Sequence, residues 1–392
     1  MANPGAEEEK QGIEKAMVVI VEEEEHPYAF HVSGPRNVAK PNWRDLINSS
    51  WKDANYKRTV IACFIQAVYL LELDRQESRP KETALAPNWW IIFNYKLARI
   101  LIDERDGSIF GAVLEWDRSA ALANFVLVRP RGAPKAVLAL RGTLLKVPTI
   151  RRDIEDDLRF LAWESLKGSV RFKVALEALK VVADRYGCDK VCVAGHSLGA
   201  GFALQVGKAL AKEGIYVDAH LFNPPSISLA MILRNIGEKA GLAWNLLKSM
   251  LPSSSEPQAS NDEEIEDDSF SLKNWLGHIY REKNSVGLKK WVPHLYVNNR
   301  DYICCRYTDP EGVEEKDVEK MNIGPTDAHV AAKLFVVSKP GKQKFLEAHG
   351  LEQWWSDELD LQLALNESKL ISRQLKSLYR VPATQQTQGR PR

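Results

Sequence analysis

Ser197 is the residue of this chain best placed to do chemistry. It is the centre of Gly195-His196-Ser197-Leu198-Gly199, which follows the apolar run Val191, Cys192, Val193, Ala194 and precedes the small residues Ala200, Gly201 and Ala203. The pattern predicts a buried strand, a tight turn and a helix start. A serine in such a turn is held at unusual backbone angles, and glycines two positions to either side let strand and helix pass closely. The hydroxyl then stands at the C-terminal end of a sheet strand, where it can attack a carbonyl once a base takes its proton.

Such a nucleophile needs a histidine base, an acid to orient that base, and fixed donors for the developing oxyanion. In sheet-borne sites of this kind the chain order is Ser, acid, His. Asp301 follows the apolar strand Trp291 to Val297 through Asn298-Asn299-Arg300, so a strand end delivers it. Asp309, Asp317 and Asp327 compete from charged, loop-like sequence. Two histidines come after Asp301. His329 enters the apolar run that ends in Leu334-Phe335-Val336-Val337 and reads as a packing residue; His349, followed by Gly350 and close to Trp354-Trp355, is favoured as the base. His196 is expected to support the turn, His294 sits mid-strand before the acid, and His220 reads as a core residue. The oxyanion donors are the N–H of Leu198 and Thr143, which follows the apolar strand Ala136 to Leu140 through Arg141-Gly142.

The elements between these residues set their positions. Phe172, Leu176, Leu179 and Ala183 form a stripe at helical spacing over Val170 to Tyr186, and Gly187 follows as a C-cap. Strand, helix and strand make a right-handed parallel unit, which puts Thr143 and Ser197 on one sheet edge. Further strands are expected at Ile109 to Trp116, entered from Asp106-Gly107, at Leu122 to Val128, and at Val217 to Phe222, closed by Asn223-Pro224-Pro225. Trp291 to Val297 reads as the last sheet strand. Thr149 to Trp163 carries Ile150, Ile154, Leu158 and Leu161 at helical spacing, either as a lid or as a docked surface helix. Val60 to Leu71, with Ile61, Phe64, Ile65 and Val68 on one stripe, reads as a buried helix. It is shorter than the roughly 20 apolar residues that span a bilayer. Residues 26 to about 110 inform on packing only.

Composition bounds the partners. The chain has 392 residues, is 45% hydrophobic, and balances 53 Lys and Arg against 52 Asp and Glu for a net charge of +1. No whole-chain field therefore steers nucleic acid or an anionic membrane. Cys63, Cys188, Cys192, Cys304 and Cys305 are odd in number and lack the Cys-x-x-Cys spacing of zinc sites, which fits free thiols in a reducing compartment. The acidic start lacks a signal peptide's basic and apolar regions, so a cytoplasmic location is expected. Residues 1–25 read as an acidic tail, 26–372 as a single domain with an exposed acidic, Ser- and Pro-rich loop at 252–269, and 373–392 as a polar tail.

The segments AVLALRGT, RRDIEDDL, VCVAGHSLGAGFAL, LFNPPS, HLYVNNRDYI and FLEAHGLEQWW resemble those of class 3, fungal-lipase-like proteins, and in particular a plant branch of lipase-like esterases. The resemblance implies an α/β-hydrolase fold with a mostly parallel central sheet flanked by helices. It implies a catalytic Ser197, Asp301 and His349, with Thr143 at the oxyanion hole. The expected function is hydrolysis of carboxylic esters, of lipid type, with no metal or organic cofactor. Peripheral membrane contact is compatible with it. Acyl transfer to an acceptor other than water is open to the same groups. Some plant lipase-like regulators keep this scaffold without turnover, so a non-catalytic interaction protein is the alternative.

Overall fold

The computed structural model describes residues 25–46, 48–144, 170–225, 290–308, 332–337, 343–356 and 361–364. The expected lid at 149–163, the acidic loop at 252–269, both tails but for Glu25, and Asp309, Asp317, Asp327 and His329 lie outside these residues.

Among the described residues, eight strands form one sheet in chain order: β1 (Tyr95–Ile102), β2 (Ile109–Trp116), β3 (Ala136–Leu140), β4 (Val191–His196), β5 (Asp218–Phe222), β6 (His294–Asn298), β7 (Lys333–Val337) and β8 (Leu361–Ala364). β1, β2 and β3 pair antiparallel, β3 to β7 run parallel, and β8 returns antiparallel. The register sets Leu140 beside Gly195 and His196 beside Phe222, so the C-terminal ends of β3, β4 and β5 share an edge. This is the mostly parallel, helix-flanked sheet of the α/β-hydrolase type.

The strand order has a packing consequence. Parallel neighbours joined in sequence by right-handed crossovers place every crossover helix on the same face. α2 (Val170–Tyr186) and α3 (Leu198–Lys212) pack there against Leu138, Leu140, Val191 and Val193. Because side chains alternate along a strand, Val137, Ala139, Cys192 and Ala194 point the other way. That face is covered by α1 (Ala54–Gln76), whose residues from Arg58 to Val68 are all buried. A helix apolar around most of its girth belongs in an interior, not on a membrane; no helix among the described residues is long and apolar enough to cross one.

α1 is fixed at both ends. Asp53 caps its first turn, accepting from the N–H groups of Asn55 and Tyr56. Lys57 on that turn pairs with Asp218 at the start of β5. Near its other end Glu72, 1% exposed, accepts from Arg75 Nε at 2.8 Å, Gln76 Nε2 at 2.8 Å and the Ile109 N–H of β2 at 2.8 Å. Burial pushes the Glu72 carboxyl up, but these donors outweigh it and hold it down to about 2.

Two expectations are corrected. Leu122 to Val128 is not a strand: Asp117 accepts from the Ser119 and Ala120 N–H groups and starts a short helix, Arg118–Ala123, which ends in a turn at Phe125 with φ 59°. The cap overrides the β-propensity of the apolar residues. Nor is the strand after Trp291 the last, since β7 and β8 extend the sheet beyond it.

Glu72→Ala removes the acceptor for Ile109 and Arg75 together. The expected cost is about 2–3 kcal/mol, read as a lower urea midpoint at unchanged slope. Because Glu72 is held at about 2, its contribution is complete above pH 4.5 and is lost as pH falls towards 2.

Candidate active site

The turn after β4 carries Ser197 at φ 53° and ψ −125°. A non-glycine residue rarely adopts this conformation, and here the surroundings enforce it. The Ser197 N–H donates to Phe222 O of β5 at 2.9 Å, and its own carbonyl accepts from Ala200 N at 2.9 Å. Glycines are required on both sides: a Cβ on Gly195 would lie 2.3 Å from Gly199 O, and one on Gly199 2.4 Å from Leu140 O. β4, α3 and the end of β3 thus meet with no room for side chains between them.

Asp301 and His349 converge on this serine. His349 closes a short helix, α4 (Phe345–His349), and its Nε2 is 2.9 Å from Ser197 Oγ. Its Nδ1 is 2.8 Å from Asp301 Oδ2. Asp301 follows β6, and the Cys304 and Cys305 N–H groups donate to its carbonyl at 3.1 and 2.7 Å. With Nδ1–H donating to the carboxylate, Nε2 presents its lone pair to the serine hydroxyl. Phe345 stacks on the His349 ring at 5.0 Å and 15°.

Asp301 is fully buried and needs compensation. Besides His349, its side chain accepts from Asn223 Nδ2 at 2.7 Å, Cys304 Sγ at 3.1 Å and Ile303 N at 3.0 Å. Burial pushes the carboxyl up, but His349, Asn223 and Cys304 outweigh it, and the group is held below the ordinary value. Asn223, at φ 47° just past β5, also donates to Ala348 O at 3.1 Å and accepts from Trp354 Nε1 at 2.7 Å. It therefore ties the acid, the histidine helix and the following tryptophan together.

A second relay runs beneath the serine. His196 Nε2 is 2.8 Å from His349 O, which can only accept, so this nitrogen carries the hydrogen. Nδ1 of the neutral ring then accepts from Tyr69 O–H of α1 at 2.8 Å, and the Tyr69 oxygen accepts from Gly142 N–H at 2.8 Å. Burial, then the repulsion a charged His196 would meet from the His349 imidazole in its charged form, pushes His196 down to about 3, keeping it in the neutral form this relay requires. His196 is thus a support, bridging the serine turn to the histidine helix and to α1. Gly142 lies against Ser197: a Cβ on it would be 2.9 Å from Ser197 Cβ. Thr143 is therefore next to the serine in the chain's path, and Leu198 opens α3 directly after it.

Tyr69, Asn223 and Cys304 were not singled out from sequence. Asn223 had a readable signal, a polar residue at the end of the strand next to the turn with prolines following. Tyr69 had none, because its partner is a backbone N–H brought near by the fold. His220 and His294 stack at the opposite end of the sheet, with ring centroids 4.6 Å apart. There Cys192, Asp218 and His220 bring their donor atoms within 4.8 Å, but Asp218 already holds the Lys57 ammonium. This donor set is met by the protein's own cation and fits an ion-pair latch for α1.

Tyr69, Thr143, His196 and His349 open onto a cleft of about 1130 Å³. Its walls come from residues 28–36, from α1, from Thr143-Leu144 and from residues 343–356.

No family model matches the chain. An Arabidopsis thaliana protein named GDSL esterase/lipase is 29% identical over 360 residues, covering 84% of this chain and 95% of that one. Among solved structures, a lipase from Rhizopus microsporus var. chinensis aligns with a TM-score of 0.35 at 11% identity, covering 84% of this chain and 85% of its own. A Pyrobaculum calidifontis esterase aligns with a TM-score of 0.27 at 13% identity, over 75% and 87%. The chain is similar to a plant lipase-like protein over most of its length.

The neutral His196 makes stability pH-dependent with a definite sign. Its folded value of about 3 lies below the ordinary 6.5, so its contribution is full above pH 6.5 and falls as pH drops towards 3. Between pH 7 and pH 5 the wild type should lose about 2 kcal/mol through this group. His196→Asn should flatten that part of the curve, measured by urea unfolding at each pH.

Proposed function

We propose that this chain is a carboxylic ester hydrolase working through an acyl-enzyme on Ser197. The observation that carries this reading is the unbroken line from Ser197 Oγ through His349 to Asp301, with contacts of 2.9 and 2.8 Å. The serine oxygen attacks the ester carbonyl as its proton passes to His349 Nε2. The oxyanion is met by the Leu198 N–H and by Thr143. Asp301 holds the imidazole in the required tautomer and stabilises it once charged. His349 then returns the proton to the departing alkoxide, leaving the acyl group on Ser197. Water, deprotonated by the same nitrogen, attacks the acyl carbon, and the acid leaves as the proton returns to serine.

Lipid-type acyl esters are the substrate class this reading favours. The cleft of about 1130 Å³ reaches His349 and is walled in part by Leu70, Leu73, Leu351 and Trp355. That is at or above the roughly 300–1,000 Å³ of ordinary small-ligand pockets, enough for an acyl arm and an alcohol part. The curated plant relative's name, esterase/lipase, points the same way.

Ser197→Ala should lower kcat/KM on a nitrophenyl ester by at least about 10³-fold with the fold intact by circular dichroism. A fluorophosphonate probe should label wild-type Ser197 and not the variant. A folded wild type that neither labels nor hydrolyses would overturn the proposal in favour of a lipase-like scaffold without turnover.

A further inference from the structure

Among the described residues, the cleft beside the candidate site is lined by one buried polar side chain that makes no hydrogen bond, Gln66. Four glutamines line its described walls: Gln66, Gln76, Gln343 and Gln353. Gln76 donates to Glu72 at 2.8 Å, and Gln343 accepts from Asn298 at 3.2 Å. Gln353 donates to Ala348 O at 2.7 Å and Gly350 O at 2.9 Å, and accepts from Asn298 at 2.8 Å. Those three brace the histidine helix and the end of α1. Gln66 is 8% exposed, lines the cleft, and its side-chain amide has no hydrogen-bond partner among the described residues.

Its place in the cleft is set by the helix. Gln66 precedes Tyr69 by three residues, so the two lie on the same face of α1 about 4.5 Å apart along the axis. α1 rises from Lys57, at the start of β5, towards Glu72, which meets the start of β2 beside the serine edge. Gln66 is therefore one turn deeper than Tyr69, whose hydroxyl lies level with Gly142 and His196. Leu70, Leu351 and Trp355, each at most 6% exposed, wall the same cleft. An apolar stretch of wall that carries a free amide suits a mostly hydrocarbon arm with one oxygen function, since an amide left unpaired beside a plain chain keeps its desolvation penalty.

We propose that Gln66 is a specificity-determining residue, and that the preferred substrate is an ester whose acyl chain carries a hydrogen-bonding oxygen, a keto, hydroxyl or ether group, at the depth of that amide. The amide N–H donates to a chain oxygen, and its carbonyl accepts when the group is a hydroxyl. The proposal rests on the ester-hydrolase reading for its chemistry but not for its binding geometry, and the two can be tested apart.

Nitrophenyl octanoate is compared with octanoates in which a keto group is walked along the chain. The expected result is that one positional isomer exceeds the plain ester in kcat/KM by at least about tenfold, and that Gln66→Met, which keeps the volume and removes the amide, abolishes the advantage. Calorimetry of the N-methyl octanamide and its keto isomers with the wild type and Ser197→Ala should show the same positional preference in Kd. A wild type that prefers no isomer in binding overturns the inference whether or not Ser197 is active, as does a preference that persists in a folded Gln66→Met. If that variant does not fold, Gln66→Leu, which removes donor and acceptor together, should lose the keto advantage; retention of it overturns the assignment. A missing fluorophosphonate label with the binding preference intact would remove the catalytic reading and leave the amide's role standing.

Discussion

A carboxylate taken wholly out of water is the constraint around which this site is built. Asp301 is fully buried, and its side chain accepts from His349, Asn223, Cys304 and Ile303. An ionised acid is tolerable there because every contact offers a donor. Those donors are drawn from the end of β5, the loop after β6 and α4. Satisfying one charge therefore brings together the segments that position the serine's partner, and weakening any of these contacts would disturb the imidazole as well as the acid.

The second organising element is less visible because its members are neutral. Gly142, Tyr69, His196 and the carbonyl of His349 form a chain of hydrogen bonds in which each proton position follows from its neighbour. It starts at the turn beside Thr143 and ends at the backbone of the histidine helix, passing through His196, the residue next to Ser197. The two relays share His349, one through its ring and the other through its carbonyl, so the ring's placement is fixed from both sides. α1 enters the site through this second relay, through the cleft wall and through the Arg58 contact with Trp354 O.

The degree to which all this was legible followed the range of the interactions. Ser197 and its glycines are a local affair, because strand, turn and helix constrain one another within about ten residues, and the sequence reading of that stretch agrees with the structure. The strands at Ile109 to Trp116 and Ala136 to Leu140, and the helix at Val170 to Tyr186, were readable from periodicity and turn residues for the same reason. Leu122 to Val128 misled because a single capping aspartate decides its conformation against the apolar pattern. β1 was not picked out because most of its side chains are not buried, and β7 and β8 complete an edge whose partners are fixed by the sheet. Gln66 stands out as a polar residue in the apolar run Val60 to Leu71, but within a helix buried nearly all round the pattern does not say that it and Tyr69 face a cleft.

The docking of residues 351–355 onto the N-terminal part of the chain has a consequence in time. Arg58 Nε donates to Trp354 O and Trp355 Nε1 to Ser33 O, both at 2.9 Å, across separations of 296 and 322 residues. During synthesis the sheet face under α1 can close early, because β2 to β5 arrive in order beside it. The wall formed by Leu351, Trp354 and Trp355 arrives long after α1 and β2 to β5, and long loops must close before it docks. Until then α1 presents a bare apolar flank and Ser197 lacks the His349 ring that its hydroxyl meets in the folded chain. The nascent chain is thus most exposed to misassociation during the same interval in which Ser197 and His349 are still apart, and one docking event ends both conditions.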